Sequence, residues 1–196
     1  MSKLSLIYDY ETLSLDRVKG AVLALAAISF DEERFTKDPY SWEELLETSR
    51  MIKFDVTDQV KRYKRVIDKD TLQWWNDQGP EAQKLLKPSI DDRPIDDLYD
   101  FFNEVKPNPI HRVYTRGNTF DPIFTDYLLK DIKKPDIIKY NLVRDTRSLF
   151  EGMAYGTTIK QNFVPEGYEE KFIAHDPIHD IAMDIIRFQK LAQAIL

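Results

Sequence analysis

Apolar positions fall into two regimes along the chain. Leu4 to Tyr8 is a short apolar run that reads as a strand delivering Asp9 at its end. Gly20 to Phe30 (GAVLALAAISF) is a second run, read as a buried strand although Ala and Leu would also suit a helix. Met51 to Val56 predicts a third strand, and Ser41 to Leu46 reads as a loop or short helical turn. Helical spacing then takes over. Asp70 caps a helix through Trp75, and Pro80 restarts one at its first turn. Ile95, Leu98, Phe101, Phe102 and Val105 share one helical face. Ile110 to Thr115 predicts a strand, followed by a helix over Pro122 to Leu129. Ile137 to Tyr140 predicts another strand, and helices are expected over Asp145 to Tyr155 and from Pro177 to Leu196. The expectation is an α/β fold, a mixed central sheet of about five strands flanked by helices, in one domain over residues 1–196.

Composition narrows the chemistry. With 42% hydrophobic and 32% charged residues, the chain reads as an ordinary globular protein. No stretch approaches the roughly 18–20 apolar residues needed to cross a bilayer. Met1-Ser2-Lys3-Leu4-Ser5 runs directly into the first strand, so the expectation is a cytoplasmic protein without a signal peptide or membrane contact. There is no cysteine and there are three histidines. That excludes thiolate zinc sites, cysteine nucleophiles and histidine-rich metal sites. A metal held here would sit on carboxylates, which favours Mg²⁺ or Mn²⁺. A net charge of −6 argues mildly against a broad grip on duplex DNA, but not against an enzyme that handles one strand end.

Three segments carry candidate chemistry. In Asp9-Tyr10-Glu11-Thr12, strand alternation sends the two acids to the same side, where they need exposure, protonation or a cation. In Arg116-Gly117-Asn118-Thr119-Phe120-Asp121, the acid stands just before Pro122, where a plain helix cap is the simplest reading. In His175-Asp176-Pro177-Ile178-His179-Asp180, Asp176 suits the cap and Pro177 the first helical position. His175 can then lean from the loop over Asp180. The rival pair, His179 and Asp184, would both be helical and would face apart by roughly 140°. Gly152 to Thr158 lacks the ending of a phosphate loop, and no Gly-x-Ser-x-Gly elbow is present.

Taken in order, Asp-x-Glu-Thr near the N-terminus, Phe-Asp in mid-chain and His-x4-Asp at the final helix resemble the DnaQ-like DEDDh 3′–5′ exonucleases. The resemblance covers nearly the whole chain. Thr71 to Trp75 with Gln78, Glu81 and Ala82, then Arg144 to Arg147, are similar to the branch that contains the T-even phage exonuclease and small bacterial exoribonucleases. Pro177 departs from the small residue common at that position in the superfamily. The resemblance implies a ribonuclease H-like fold and two divalent cations, Mg²⁺ or Mn²⁺. It implies Asp9, Glu11 and Asp180 on one ion, Asp9 bridging to the second, and Asp121 holding the second largely through water. His175 would be the general base. Thr12, Leu13, Asn118, Phe120 and Trp75 would lie beside the terminal nucleotide. Trp74 and Trp75 also read as structural, since one of two helical neighbours faces the core. Arg144 and Arg147 could pair with phosphate or with acids. The implied partner is a single-stranded nucleic-acid 3′ end, DNA ahead of RNA. A non-catalytic binding module is the alternative from another class.

Overall fold

The computed structural model describes residues 3–195; Met1, Ser2 and Leu196, which ends the expected final helix, lie outside that range. β1 (Leu4–Thr12) and β2 (Val22–Asp31) form a long antiparallel hairpin. α1 (Arg34–Lys37) and α2 (Trp42–Thr48) lead to the edge strand β3 (Arg50–Lys53), antiparallel to β2. Ser41 caps α2 by accepting from the Glu44 amide at 3.1 Å, which makes this segment a true helix rather than a turn. The expected third strand stops at Lys53, because Asp55 caps a further helix, α3 (Val56–Tyr63).

α4 (Lys69–Asn76) and α5 (Pro80–Gln83) follow. Asp68, not Asp70, caps α4, accepting from the amides of Asp70 and Thr71 at 2.8 and 3.3 Å. α6 (Leu98–Val105) precedes β4 (Val113–Thr115), and α7 (Asp121–Asp131) precedes β5 (Val143–Asp145). The strand expected at Ile137 to Tyr140 is displaced to β5. Ile137 and Ile138 pack on the core from a loop instead. α8 (Thr146–Met153) and the long α9 (Pro177–Ile195) complete the chain.

The strands form one mixed sheet in the order β3-β2-β1-β4-β5, with β4 parallel to both β1 and β5. One face packs on α1, α2, α8 and α9 through Phe35, Trp42, Leu45, Phe150 and Ile185. The other packs on α6 and α7 through Leu98, Phe102, Phe124 and Leu128. A third cluster, Leu13, Leu23, Trp75 and Ala82, packs at the loop end of the β1–β2 hairpin. The fold is therefore the α/β sheet with helices on both faces that the hydrophobic pattern predicts.

Candidate active site

Alternation along β1 sends Ile7 into the cluster beneath α9, and Tyr8 and Tyr10 into the opposite one. Asp9 and Glu11 continue the Ile7 side, so both carboxylates face the start of α9. Their partners across the β1–β2 register are Ala26 and Ala24, small residues on the neighbouring strand. β1 pairs with β4 only at Leu6–Val113 and Ile7–Tyr114. Beyond that point β1 has no strand neighbour on this edge, and the Tyr10 amide donates to Asp121 Oδ1 at 3.2 Å. Asp121 is thus not a cap of its own helix. It lies in the first turn of α7, 2% exposed, and pins that turn to β1 between the other two acids.

α9 begins where its sequence predicts. Asp176 Oδ1 accepts from the amides of Ile178 and His179 at 3.0 and 3.1 Å, and Pro177 occupies the first turn without disturbance. His175 adopts a left-handed backbone conformation, φ 64°, and its amide donates to Asp180 Oδ2 at 3.1 Å. His175 and Asp180 are thus brought together, through the backbone amide of the histidine. His179 turns away: its Nδ1 accepts from the Ile173 amide at 3.1 Å, and its ring meets Trp42 edge-on.

These groups converge on a cleft of about 640 Å³ lined by Asp9, Glu11, Asp121, His175 and Asp180. Glu11, His175 and Asp180 each offer a ligand atom, all within 4.8 Å of one another, which is a reach suited to a metal ion. Burial is the main force on every acid. It raises Asp9 well above the usual carboxylate range, with Asp121 and Asp180 adding to it. It raises Glu11 likewise, with Asp9 and Asp180 adding. Asp121 is pushed up to about 7 by burial, against the pull of the Tyr10 amide. Asp180 is also pushed up to about 7, by burial and then by Asp184. Burial lowers His175, which favours the neutral imidazole. Crowded carboxylates that resist charging take up protons or a cation, and their oxygen donors fit a hard divalent ion.

Beside the acids opens an apolar slot of about 400 Å³ lined by Leu15, Trp74 and Phe120, with Thr12 and Trp75 behind. Arg17 Nη1 donates to the Thr119 carbonyl at 2.8 Å and ties the loop presenting Leu15 to the loop presenting Phe120. Three expectations about this region are corrected. Leu13 is 3% exposed and packs in the core against Leu23 and Trp75, whereas Leu15, 72% exposed, lines the cleft. Trp75 is 1% exposed, and its indole N–H donates to the Thr12 carbonyl at 2.8 Å, so it backs the slot rather than offering a ring face. The available indole is Trp74, which meets the His175 ring edge-on at 4.7 Å. Asn118 lines a neighbouring cavity with Ile123 and Tyr140.

Sequence reading missed a buried ionic knot behind the acids. Asp184 accepts from Arg116, from Arg187 Nη1 at 2.6 Å and from Thr146 Oγ1 at 2.8 Å. Arg187 also donates to the Phe163 carbonyl at 2.7 Å. The knot therefore joins the end of β4, the start of α8, the loop before α9 and α9 itself. The spacing of Asp180, Asp184 and Arg187 on one helical face was the available signal.

Residues 4–184 match the family described as the Rv2179c-like 3′–5′ exoribonuclease domain. An exodeoxyribonuclease of Enterobacteria phage T4 is 32% identical over 199 residues, covering 92% of this chain and 85% of that protein. Among solved structures, a zinc-bound complex of Escherichia coli ExoI with single-stranded DNA aligns over 100% of this chain with a TM-score of 0.58 and 14% identity. Another exonuclease I structure aligns over 98% with a TM-score of 0.60 and 14% identity. This chain spans 40% of each of those chains, and at that identity the likeness speaks for the fold. It is the fold of DnaQ-like exonucleases. Sheet order, the acids gathered at its centre and these matches converge on one statement: the chain belongs to the Rv2179c-like 3′–5′ exoribonuclease domain family and is an exonuclease.

Proposed function

We propose that the protein removes nucleoside 5′-monophosphates one at a time from the 3′ end of single-stranded DNA, acting as one catalytic domain over residues 1–196. The observation that carries this reading is the convergence of Asp9, Glu11, Asp121 and Asp180 with His175 in one cleft. In this reading Asp9, Glu11, Asp121 and Asp180 would hold two divalent cations, Mg²⁺ or Mn²⁺ being the ions that suit a carboxylate set. When bound, such ions activate water and neutralise charge on the departing 3′-oxygen. His175, kept neutral by burial, takes the proton from the attacking water at Nδ1 or Nε2. Leu15, Trp74 and Phe120 enclose the terminal base by stacking and apolar contact, which tolerates every base.

DNA is favoured because the phage T4 relative, 32% identical across most of both chains, is named an exodeoxyribonuclease. The second reading is an exoribonuclease with the same chemistry, favoured by the description of the matching family. No helix among the described residues is long and apolar enough to cross a membrane, and we assign the activity to the cytoplasm. The test uses 5′-labelled single-stranded DNA and a matched RNA with Mn²⁺, alongside EDTA and Asp9→Ala controls. A metal-dependent ladder shortening from the 3′ end of DNA supports the proposal. Faster degradation of RNA selects the second reading, and cleavage of neither removes both.

A further inference from the structure

Three guanidinium groups line the acid cleft: Arg116, Arg147 and Arg187. Two of them are committed. Arg116 and Arg187 both close on Asp184, within the buried knot. Arg147 is different. Its backbone amide caps on Asp145 at 3.0 Å, but its side chain makes no hydrogen bond or ion pair among the described residues. Its neighbour in the same motif, Arg144, turns away and donates to the carbonyls of Asn141 and Val143 at 2.9 and 2.8 Å. Arg147 is exposed on the first turn of α8, and its charge partly offsets the burial that raises Asp121.

Position along the cleft gives this cation a role. The apolar slot of Leu15, Trp74 and Phe120 opens on one side of Glu11. The part of the cleft that the slot does not share holds Asp9, Asp121, His175 and Asp180 and, with them, Arg147 and, from the loop before α9, Asn162 and Phe172. A strand whose last base fills the slot crosses the acids at its scissile phosphate and continues past Arg147. We propose that Arg147 binds the phosphate next upstream of the scissile one. The proposal rests on the 3′-end reading above. Arginine matches phosphate with a planar fork of donors, and here no competing carboxylate occupies that fork.

A phosphate at Arg147 has two sources, the upstream internucleotide linkage or the 5′-phosphate of the released mononucleotide. Chain length separates them. With 5′-hydroxyl oligothymidylates of two and three nucleotides, only the longer substrate carries a phosphate upstream of the scissile bond. For Arg147→Ala the ratio of kcat/KM for the trinucleotide over the dinucleotide falls about tenfold, mostly through KM, the size expected for one charge-assisted contact. Arg147→Lys recovers part of the ratio, and the salt dependence of six-nucleotide binding loses a slope of roughly 0.7, one single-strand phosphate contact. An unaltered ratio overturns the proposal, as does an equal loss on both lengths, which would put Arg147 at the scissile phosphate. Relief of inhibition by thymidine monophosphate in Arg147→Ala, with the ratio intact, would assign it to product instead. Failure of the wild-type protein to cleave either oligonucleotide would remove the 3′-exonuclease reading itself, an outcome distinct from all of these.

Discussion

His175 holds its ring with little help from polar contacts. Its left-handed backbone is secured by the amide bond to Asp180, and the ring leans on the edge of Trp74. Asparagine tolerates that backbone region better than most residues. His175→Asn should therefore keep the loop in place and lower kcat by about 10²–10⁴-fold, the usual contribution of a general base. A metal titration of the variant should match wild type. If affinity for Mn²⁺ collapses with the rate, the imidazole is a ligand, a role its distance from Glu11 and Asp180 also permits. The acids give a second prediction. Asp121 and Asp180, raised to about 7 in the folded chain, bind protons more tightly there than when unfolded. Stability of the metal-free protein is then greatest below the ordinary aspartate value and declines as pH rises toward 7. Thermal melts should show Tm falling from pH 5 to pH 8 in EDTA, with Mn²⁺ raising Tm more at pH 8. A flat EDTA profile would mean that the carboxylates are not desolvated as the fold implies.

At the scale of elements, Asp184 fastens β4, α8 and α9 behind the acids of the cleft. Removing it strands two arginines, of which Arg187 keeps only 3% of its side chain exposed. Asp184→Ala should cost about 3–5 kcal/mol in chemical denaturation, the usual result of orphaning a buried charge. A loss below ~1 kcal/mol would show that water relieves the knot. Legibility in the sequence followed the same scale. β1, β2 and α9 were readable because long segments repeat their pattern many times. α3 was not: it carries Val56, Val60 and Tyr63 at helical spacing, but the strand-like run Met51 to Val56 overlaps its start. β5 has three half-buried residues and no periodicity to detect, whereas the apolar pair Ile137–Ile138 imitates a strand from a loop. Within the site, Asp9 with Glu11 and His175 with Asp180 were readable because each pair is local. Leu13 and Leu15 both follow the end of β1, one packed on Leu23 and Trp75 and the other lining the cleft, a difference that strand alternation does not announce.

For the whole molecule, a net charge of −6 opposes long-range capture of a polyanion. Binding through only one or two phosphates beyond the site should be weakly salt-dependent. Between 50 and 200 mM salt, KM for a six-nucleotide substrate should rise only about 3–7-fold, from a slope near 0.7 per contact. A hundredfold rise would demand a basic track that the cleft lacks. The site also spans the molecule in sequence: Asp9 stands on the first strand and Asp180 on the last helix. During synthesis the first acids leave the ribosome long before α9 exists, and chains grow at only about 5–20 residues per second. A chain made only as far as α8 therefore holds Asp9, Glu11 and Asp121 without His175 or Asp180. With the roles proposed for His175 and Asp180, the nuclease is silent until its last helix docks, so hydrolytic capacity and completion of the fold arrive in the same event.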